Sequence, residues 1–300
     1  MKKITVLLGG CGKEREVSLN SGKATIDALK ELGFITSKID LPSDMNDLVS
    51  QLKTLNPDTV FNCLHGPVGE DGTVQAILND LKIPYTHSGV TASADAMDKW
   101  KSYEIFKKNG IPTPQTQKIN IKQSNVCPLP FPCIVKPINE GSSVGIYVIA
   151  STEEWGDLKK SWIFGDECIV QEYLKLREIH VAVLNGVALG TIEISPKENF
   201  LIFSYQAKYL PGEARFTCPA NIDKEMEDLA KTTALKTYQA LDCRGLARID
   251  MMFDGKLFYV LEINTQPGFT STSLAPQIAK SQNISFTELV GKMVESAKCD

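Results

Sequence analysis

Arg248-Ile249-Asp250 and, a little further on, Leu261-Glu262-Ile263-Asn264-Thr265-Gln266-Pro267-Gly268 carry the residue types with the most chemistry in this chain. Side chains alternate across a strand, so Glu262 and Asn264 project from the same face. Oxygen donors of this kind suit Mg²⁺, which proteins hold through one or two carboxylates while substrate phosphates complete the shell. The flanking residues (Met251, Met252, Phe253 and Leu257 to Leu261) are apolar. Acids at the ends of such buried strands need partners, and a metal is one. Asp250, Glu262 and Asn264 are therefore candidate metal ligands, and a shared site requires all three on one face. A two-residue turn at Asp254-Gly255 would pair Phe253 with Lys256 and point Asp250 away from Glu262. The metal site thus predicts an odd-length connection: a three-residue loop Phe253-Asp254-Gly255, with Gly255 left-handed and a bulge beside it.

Two other stretches suggest anion binding. Gly141-Ser142-Ser143-Val144-Gly145 offers a run of backbone N–H groups and two hydroxyls able to cradle phosphates. It is not a Walker loop, because no Lys-Ser/Thr pair follows. Lys136, at the end of the preceding predicted strand, can set a point charge beside the same phosphates. Ser273 reads as a helix N-cap with Pro276 in the first turn, and free N–H groups at such a terminus bind carboxylates. Gly10 and Gly12 invite a dinucleotide reading, which Arg15 weakens by standing where the third glycine of that fingerprint belongs.

The elements that must hold these residues alternate at first between strand and helix. Strands are predicted at Lys2 to Leu8 and Thr59 to Leu64, and helices at Ser18 to Leu32 and Val74 to Leu81, which implies a parallel α/β layer up to about residue 96. A helix from Met97 to Asn109 is closed by Gly110, Pro112 and Pro114, and an irregular stretch with Pro128, Pro130 and Pro132 follows. Strands Cys133 to Lys136 and Ile146 to Ile149 flank the glycine loop. From about Glu178 strands dominate until helix Lys224 to Leu241, the acidic hairpin, and a last helix near Phe286 to Ser296.

Three hundred residues with 32 basic and 36 acidic side chains give a net charge of −4. With no basic run interleaved with aromatics, neither nucleic acid nor an anionic membrane surface is expected as a partner. No segment approaches the ~20 apolar residues of a membrane helix. The eight cysteines lack metal-site spacing, and most read as small buried hydrophobes of a reducing, cytoplasmic compartment.

Leu64-His65-Gly66 with Gly69-Glu70-Asp71-Gly72, the stretch Glu140 to Gly145 and the acidic hairpin occur in one order. With them the chain resembles the D-alanine–D-alanine ligase family of the ATP-grasp superfamily, from Val6-Leu7-Leu8-Gly9-Gly10 to its end. The resemblance implies an α/β and α+β protein with an ATP-grasp fold and an N-terminal parallel α/β domain. The implied divisions are 1–96, 97–177 (with the phosphate loop) and 178–300 (with the metal site and a lid). It also implies ATP, two Mg²⁺ ions for which Mn²⁺ can substitute, D-alanine as substrate, and a homodimer. Lys99 matches the family's second phosphate lysine beside Lys136, Ser142 and Ser143. Glu172, Tyr173 and Leu174 match the adenine hinge and Glu178 the ribose acceptor, and Met252 can pack on the adenine face. Glu14 matches the partner of the first D-alanine's ammonium, with His65 beside it. Arg248 and the N–H of Gly268 match the oxyanion donors, although Arg248 has an alternative reading as a structural partner of Glu262. Ser273 and Leu274 match the second carboxylate site. Lys208 and Tyr209 match a mobile lid whose tyrosine joins Glu14 and Ser142 in a hydrogen-bonded triad. Tyr209 favours a dipeptide over a D-alanyl–D-lactate ester; Gln206 departs from the acid common in relatives. Other ATP-grasp ligases and a non-catalytic nucleotide sensor are the rival readings.

Overall fold

The computed structural model describes residues 1–10, 12, 14–141, 144–196 and 214–300. Ser142, Ser143, Gln206, Lys208 and Tyr209 lie outside them. The chain opens with β1 (Lys3–Leu8), α1 (Arg15–Glu31), β2 (Ile35–Asp40), α2 (Met45–Leu55), β3 (Thr59–Asn62) and α3 (Thr73–Asp80). The strands form a parallel sheet ordered β2-β1-β3. β1 is buried at five consecutive positions, apolar at all of them but Thr5, as a parallel strand covered on both faces must be. Gly33, at φ +81, takes the left-handed turn that ends the first helix.

The predicted helix from Met97 to Asn109 is instead two helices, α4 (Val90–Met97) and α5 (Lys99–Lys108), that break at Asp98. Asp98 is extended, and its carboxylate accepts from the N–H groups of Trp100 and Lys101 at 3.0 and 2.9 Å. It is an N-cap in mid-pattern, and it makes Lys99 the first helical residue.

An antiparallel sheet follows, ordered β4-β7-β5-β6, from β4 (Thr116–Asn120), β5 (Cys133–Lys136), β6 (Tyr147–Ile149) and β7 (Glu167–Glu172). Helix α6 (Thr152–Ser161) covers it through Trp155 and Leu158, which are buried with Cys133, Val135, Cys168 and Val170. The irregular stretch expected after Pro114 therefore contains a strand, β4, paired with β7.

The largest sheet runs β10-β9-β8-β11-β12, from β8 (Arg177–Leu184), β9 (Val187–Pro196), β10 (Ala214–Thr217), β11 (Leu246–Phe253) and β12 (Phe258–Asn264). Helix α7 (Lys224–Ala240) packs on one face, over Ile179, Val181, Ile249, Met251, Phe258 and Val260. The last helices, α8 (Leu274–Ser281) and α9 (Phe286–Glu295), share a core with Ala182 and Ile192 of that sheet and with Ile4, Val6 and Leu29 of the first layer. The end of the chain thus returns to its beginning, where Lys298 bridges Tyr85. Among the described residues seven cysteines are free, and Cys63, Cys133, Cys168 and Cys243 are buried.

Candidate active site

The β11–β12 hairpin brings the acidic residues together by a route other than the one expected. Phe253 pairs with Phe258, Met252 with Tyr259 and Met251 with Val260. The connection therefore has even length, and Asp254 N donates to Leu257 O at 3.2 Å. The predicted three-residue loop is not formed, although Gly255 does take φ +98. The change of phase comes further in, at a bulge between Asp250 and Met251 that leaves Leu261 as the extra residue, after which Asp250 opposes Glu262 and Arg248 opposes Asn264. Packing explains the location. Phe258 and Val260 must face α7, and so must Ile263; all three are buried. An unbroken alternation would send Glu262 into that core with them, and the extra residue resets the alternation.

Arg248, Asp250, Glu262 and Asn264 accordingly share one face, with Glu178 and His180 of β8 beside them, since His180 opposes Asp250 and Glu178 opposes Met252. Asp250 is 3% exposed. Arg248 forks onto it, Nε to Oδ1 at 2.7 Å and a terminal nitrogen to Oδ2 at 2.8 Å. Asp250 is thus a structural partner of Arg248. Lys99 Nζ lies 3.9 Å from Glu262 Oε2 and donates to Glu140 O at 2.5 Å, so it is held in the site and is not a solvated helix lysine.

Asp250 and Glu262, directly opposed on neighbouring strands, repel each other, and a cation between them relieves that cost. Their oxygen donors and that of Asn264 fit a hard divalent ion. Asn264 Oδ1 accepts from Gln266 N at 2.8 Å. Among the described residues no three His, Cys, Asp or Glu side chains converge as a metal cluster.

A cavity of about 410 Å³ adjoins this face and is lined by Glu14, His65, Lys99, Arg248, Glu262, Asn264, Gly268, Ser273 and Leu274 among others. Glu14 precedes the first residue of α1 and lies against the glycine-rich turn: a Cβ on Gly66 would stand 3.2 Å from its Oε2. His65 Nδ1 is 3.1 Å from Glu70 Oε1, and among the described residues its buried Nε2 has no hydrogen-bond partner. Burial raises the Glu70 carboxyl above the usual range. Ser273 is the N-cap of α8, as expected, but its Oγ makes no cap bond and instead accepts from Thr270 N at 3.1 Å. The Gly268 backbone lies under that hydroxyl; a Cβ there would meet Ser273 Oγ at 3.3 Å.

The remaining predicted residues are not among those lining the cavity and lie on β5, β7, β8 and β11 and in the connection between β7 and β8. Lys136 ends β5, is 6% exposed and donates to Gln171 Oε1 at 2.9 Å. Gln171 is held in turn through its Nε2 to Thr116 Oγ1 at 2.9 Å. Burial pushes the Lys136 ammonium down to about 8, against the pull of Glu262 and helped by the charge of Lys99. Glu172 ends β7, with its carboxylate accepting from Gln115 N at 3.3 Å. Tyr173 and Leu174 are half-buried in the connection to β8, where Glu178 follows. Met252 is partly buried on the same face as Glu178.

Three polar groups were missed by the sequence reading. His180, Gln171 and the buried pair Asn62–Gln266 carry no local signal, because their partners come from distant strands. Asn62 Nδ2 donates to Gln266 Oε1 at 2.8 Å and to Gly69 O at 3.0 Å, and Gln266 Nε2 donates to Leu64 O. The residue leaving β12 is thereby stapled to the His65–Gly72 turn.

Two antiparallel sheets that present lysines and carboxylates to a cavity, with a helix N-terminus opposite, define an ATP-grasp ligase. The chain belongs to the D-alanine–D-alanine ligase family: the model of the family's C-terminus (D-ala D-ala ligase C-terminus) matches residues 99–295, and that of its N-terminus matches residues 43–88. It is 42% identical to D-alanine–D-alanine ligase B of Mesorhizobium japonicum, over 99% of this chain and 98% of that one. With the D-alanine–D-alanine ligase of Paramagnetospirillum magneticum it shares 43%, over 100% and 99%. The crystal structure of the Bacillus anthracis D-alanine–D-alanine ligase superposes with a TM-score of 0.88 at 32% identity, covering 99% of this chain and 97% of that one. The complex of that enzyme with ATP gives 0.85 at 30%, with the same coverage. Among the described residues no helix is long and apolar enough to cross a membrane.

Proposed function

We infer that the chain joins two D-alanine molecules into D-alanyl-D-alanine at the expense of ATP, for peptidoglycan precursor synthesis. The observation that carries this reading is one cavity lined jointly by Glu14, His65, Arg248, Gly268, Ser273 and Leu274.

Glu14 binds the ammonium of the first D-alanine, and His65 orients it. Lys99, Lys136, Ser142 and Ser143 hold the phosphates, while Glu172, Tyr173 and Leu174 contact adenine, Glu178 the ribose hydroxyls and Met252 the adenine face. Asp250, Glu262 and Asn264 would hold Mg²⁺, two ions in this reading with Mn²⁺ as substitute; when bound, the metal neutralises charge on the transferring phosphoryl group. Phosphorylation turns a poor leaving oxygen of the first carboxylate into phosphate. Ser273 Oγ and Leu274 N–H hold the carboxylate of the second D-alanine, whose amine attacks the activated carbonyl carbon. Arg248 and Gly268 N–H stabilise the oxyanion that develops there, the electrostatic contribution that dominates many acyl transfers. The family resemblance assigns Lys208 and Tyr209 to a lid and Tyr209 to a triad with Glu14 and Ser142, and this reading keeps those roles. The divisions 1–96, 97–177 and 178–300, a homodimeric state and a cytoplasmic location belong to the same reading.

Phosphate release with ATP and D-alanine alone tests it, with product mass read alongside. Dipeptide formation is the expected result. An ester formed only with D-lactate, or nucleotide binding without turnover, would replace it with another ligase or a sensor.

A further inference from the structure

His180 has no part in the reading above, yet it is 1% exposed at the centre of the nucleotide face. Its Nε2 is 2.8 Å from Glu178 Oε1, two residues back on the same strand face. A carboxylate oxygen only accepts, so Nε2 carries the proton in this pair. Across the ladder His180 opposes Asp250, and its Nδ1 lies 3.1 Å from Asp250 Oδ1, buried and out of hydrogen-bond alignment. The ring is therefore wedged between two carboxylates with different tasks. On its far side Asp250 is held by the Arg248 fork, so it cannot recede from the imidazole. With Oε1 engaged by His180, recognition of a sugar hydroxyl falls to the second oxygen of Glu178, in an orientation the ring dictates.

We propose that His180 is a positioning residue for ATP recognition: it aims Glu178 at the ribose hydroxyls and braces it against Asp250, linking sugar recognition to the phosphate end of the site. The proposal rests on the reading of Glu178 as the ribose acceptor. A purely structural histidine would, on removal, weaken every nucleotide alike or lower the melting temperature. A positioning histidine acts through the ribose.

The test compares ATP with 2′,3′-dideoxyATP, by KM and kcat and by calorimetric binding without D-alanine, in the full-length enzyme. His180→Leu raises KM for ATP roughly tenfold, the loss of one charge-assisted hydrogen bond, with kcat changed much less. Its KM for 2′,3′-dideoxyATP stays near the wild-type value, so the preference for ATP falls. His180→Gln, which retains a donor for Glu178, regains most of that preference. The double variant Glu178→Gln/His180→Leu is no worse than Glu178→Gln alone. Equal losses for both nucleotides, or losses that multiply in the double variant, overturn the proposal. If Glu178→Gln leaves the preference intact, the ribose reading and the proposal fall together. If Glu178→Gln abolishes it while His180→Leu does not, the proposal alone falls. Should His180→Leu not fold, His180→Thr, β-branched and without a reaching donor, makes the same comparison.

Discussion

Lys136 gives the site a pH dependence that can be read directly. Burial brings its ammonium from an ordinary 10.5 to about 8, and its Nζ donates to a neutral amide, Gln171, where a carboxylate would have held the proton more firmly. If the charged form binds phosphates, kcat/KM for ATP follows the protonation of the free enzyme. Between pH 7 and pH 9 the protonated fraction falls roughly tenfold, and kcat/KM falls with it. A phosphate charge about 4 Å away contributes about 4 kcal/mol at an effective dielectric of 20, enough to restore the proton in the complex. kcat should therefore stay level across that window while KM for ATP rises. Lys136→Arg keeps its charge throughout and should flatten the alkaline limb. Gln171→Glu should move that limb to higher pH by supplying an anion. Stability of the nucleotide-free chain runs the other way. A lysine with a lowered folded value is protonated in both states below about 8, where the desolvation cost is fully present. Between about 8 and 10.5 the unfolded chain binds more protons, so stability rises with pH. Steady-state kinetics from pH 6.5 to 9.5 decide the matter. An inflection near 8 that persists unchanged in Lys136→Arg refutes the reasoning.

Asp250→Asn should abolish phosphate release and, by leaving the partly buried Arg248 without its anion, cost about 3 kcal/mol in urea unfolding. Near-normal turnover at saturating Mg²⁺ would count against the metal role. Tyr209→Phe should weaken discrimination between D-alanine and D-lactate as second substrate, read as the dipeptide-to-ester mass ratio; an unchanged ratio would remove the lid tyrosine from the mechanism. Asn62→Ala and Gln266→Ala should each destabilise by about 1–3 kcal/mol, with a double variant well short of the sum, because both remove the same buried hydrogen bond between the two amides. Additive losses in thermal melts would show that the two amides act separately.

Periodicity and punctuation located most of the elements that present the site. Strand Cys133–Lys136 appears as read, and the long helix ends at Ala240, one residue before the predicted Leu241. Strand Thr116–Asn120 was hidden by the prolines around it and by its polar composition; only pairing with β7 makes it a strand. Ile35–Asp40 and Met45–Leu55 were passed over in the same way, although both belong to the first layer. The acids of the hairpin were legible because their motif is local. Gln171 and His180 were not, since a buried polar residue declares itself only through partners that folding brings from elsewhere. The phase change at Leu261 was in principle visible, because the buried positions shift from even numbers (Phe258, Val260) to odd (Ile263). The shift falls three residues into β12 and not at the Asp254-Gly255 turn, where the local residues favour a change of direction.

The bulge divides the hairpin into two parts that can change length independently. Inside it, the pairing of Asp250 with Glu262 and of Arg248 with Asn264 sets which way the acids point. Outside it, the short arm from Phe258 to Val260 and its connection obey their own register with Met251 to Phe253. Insertions at the tip, such as a fused tag or a fluorescent label near Lys256, are absorbed before they reach the acids. At Leu261 the arithmetic is different: its deletion would leave Met251 opposite Val260 and Asp250 opposite Glu262, now as neighbours in an unbroken ladder. That shortened hairpin would isolate what the extra residue contributes, namely the local twist and offset of the strand carrying Glu262, with every cross-strand pair unchanged.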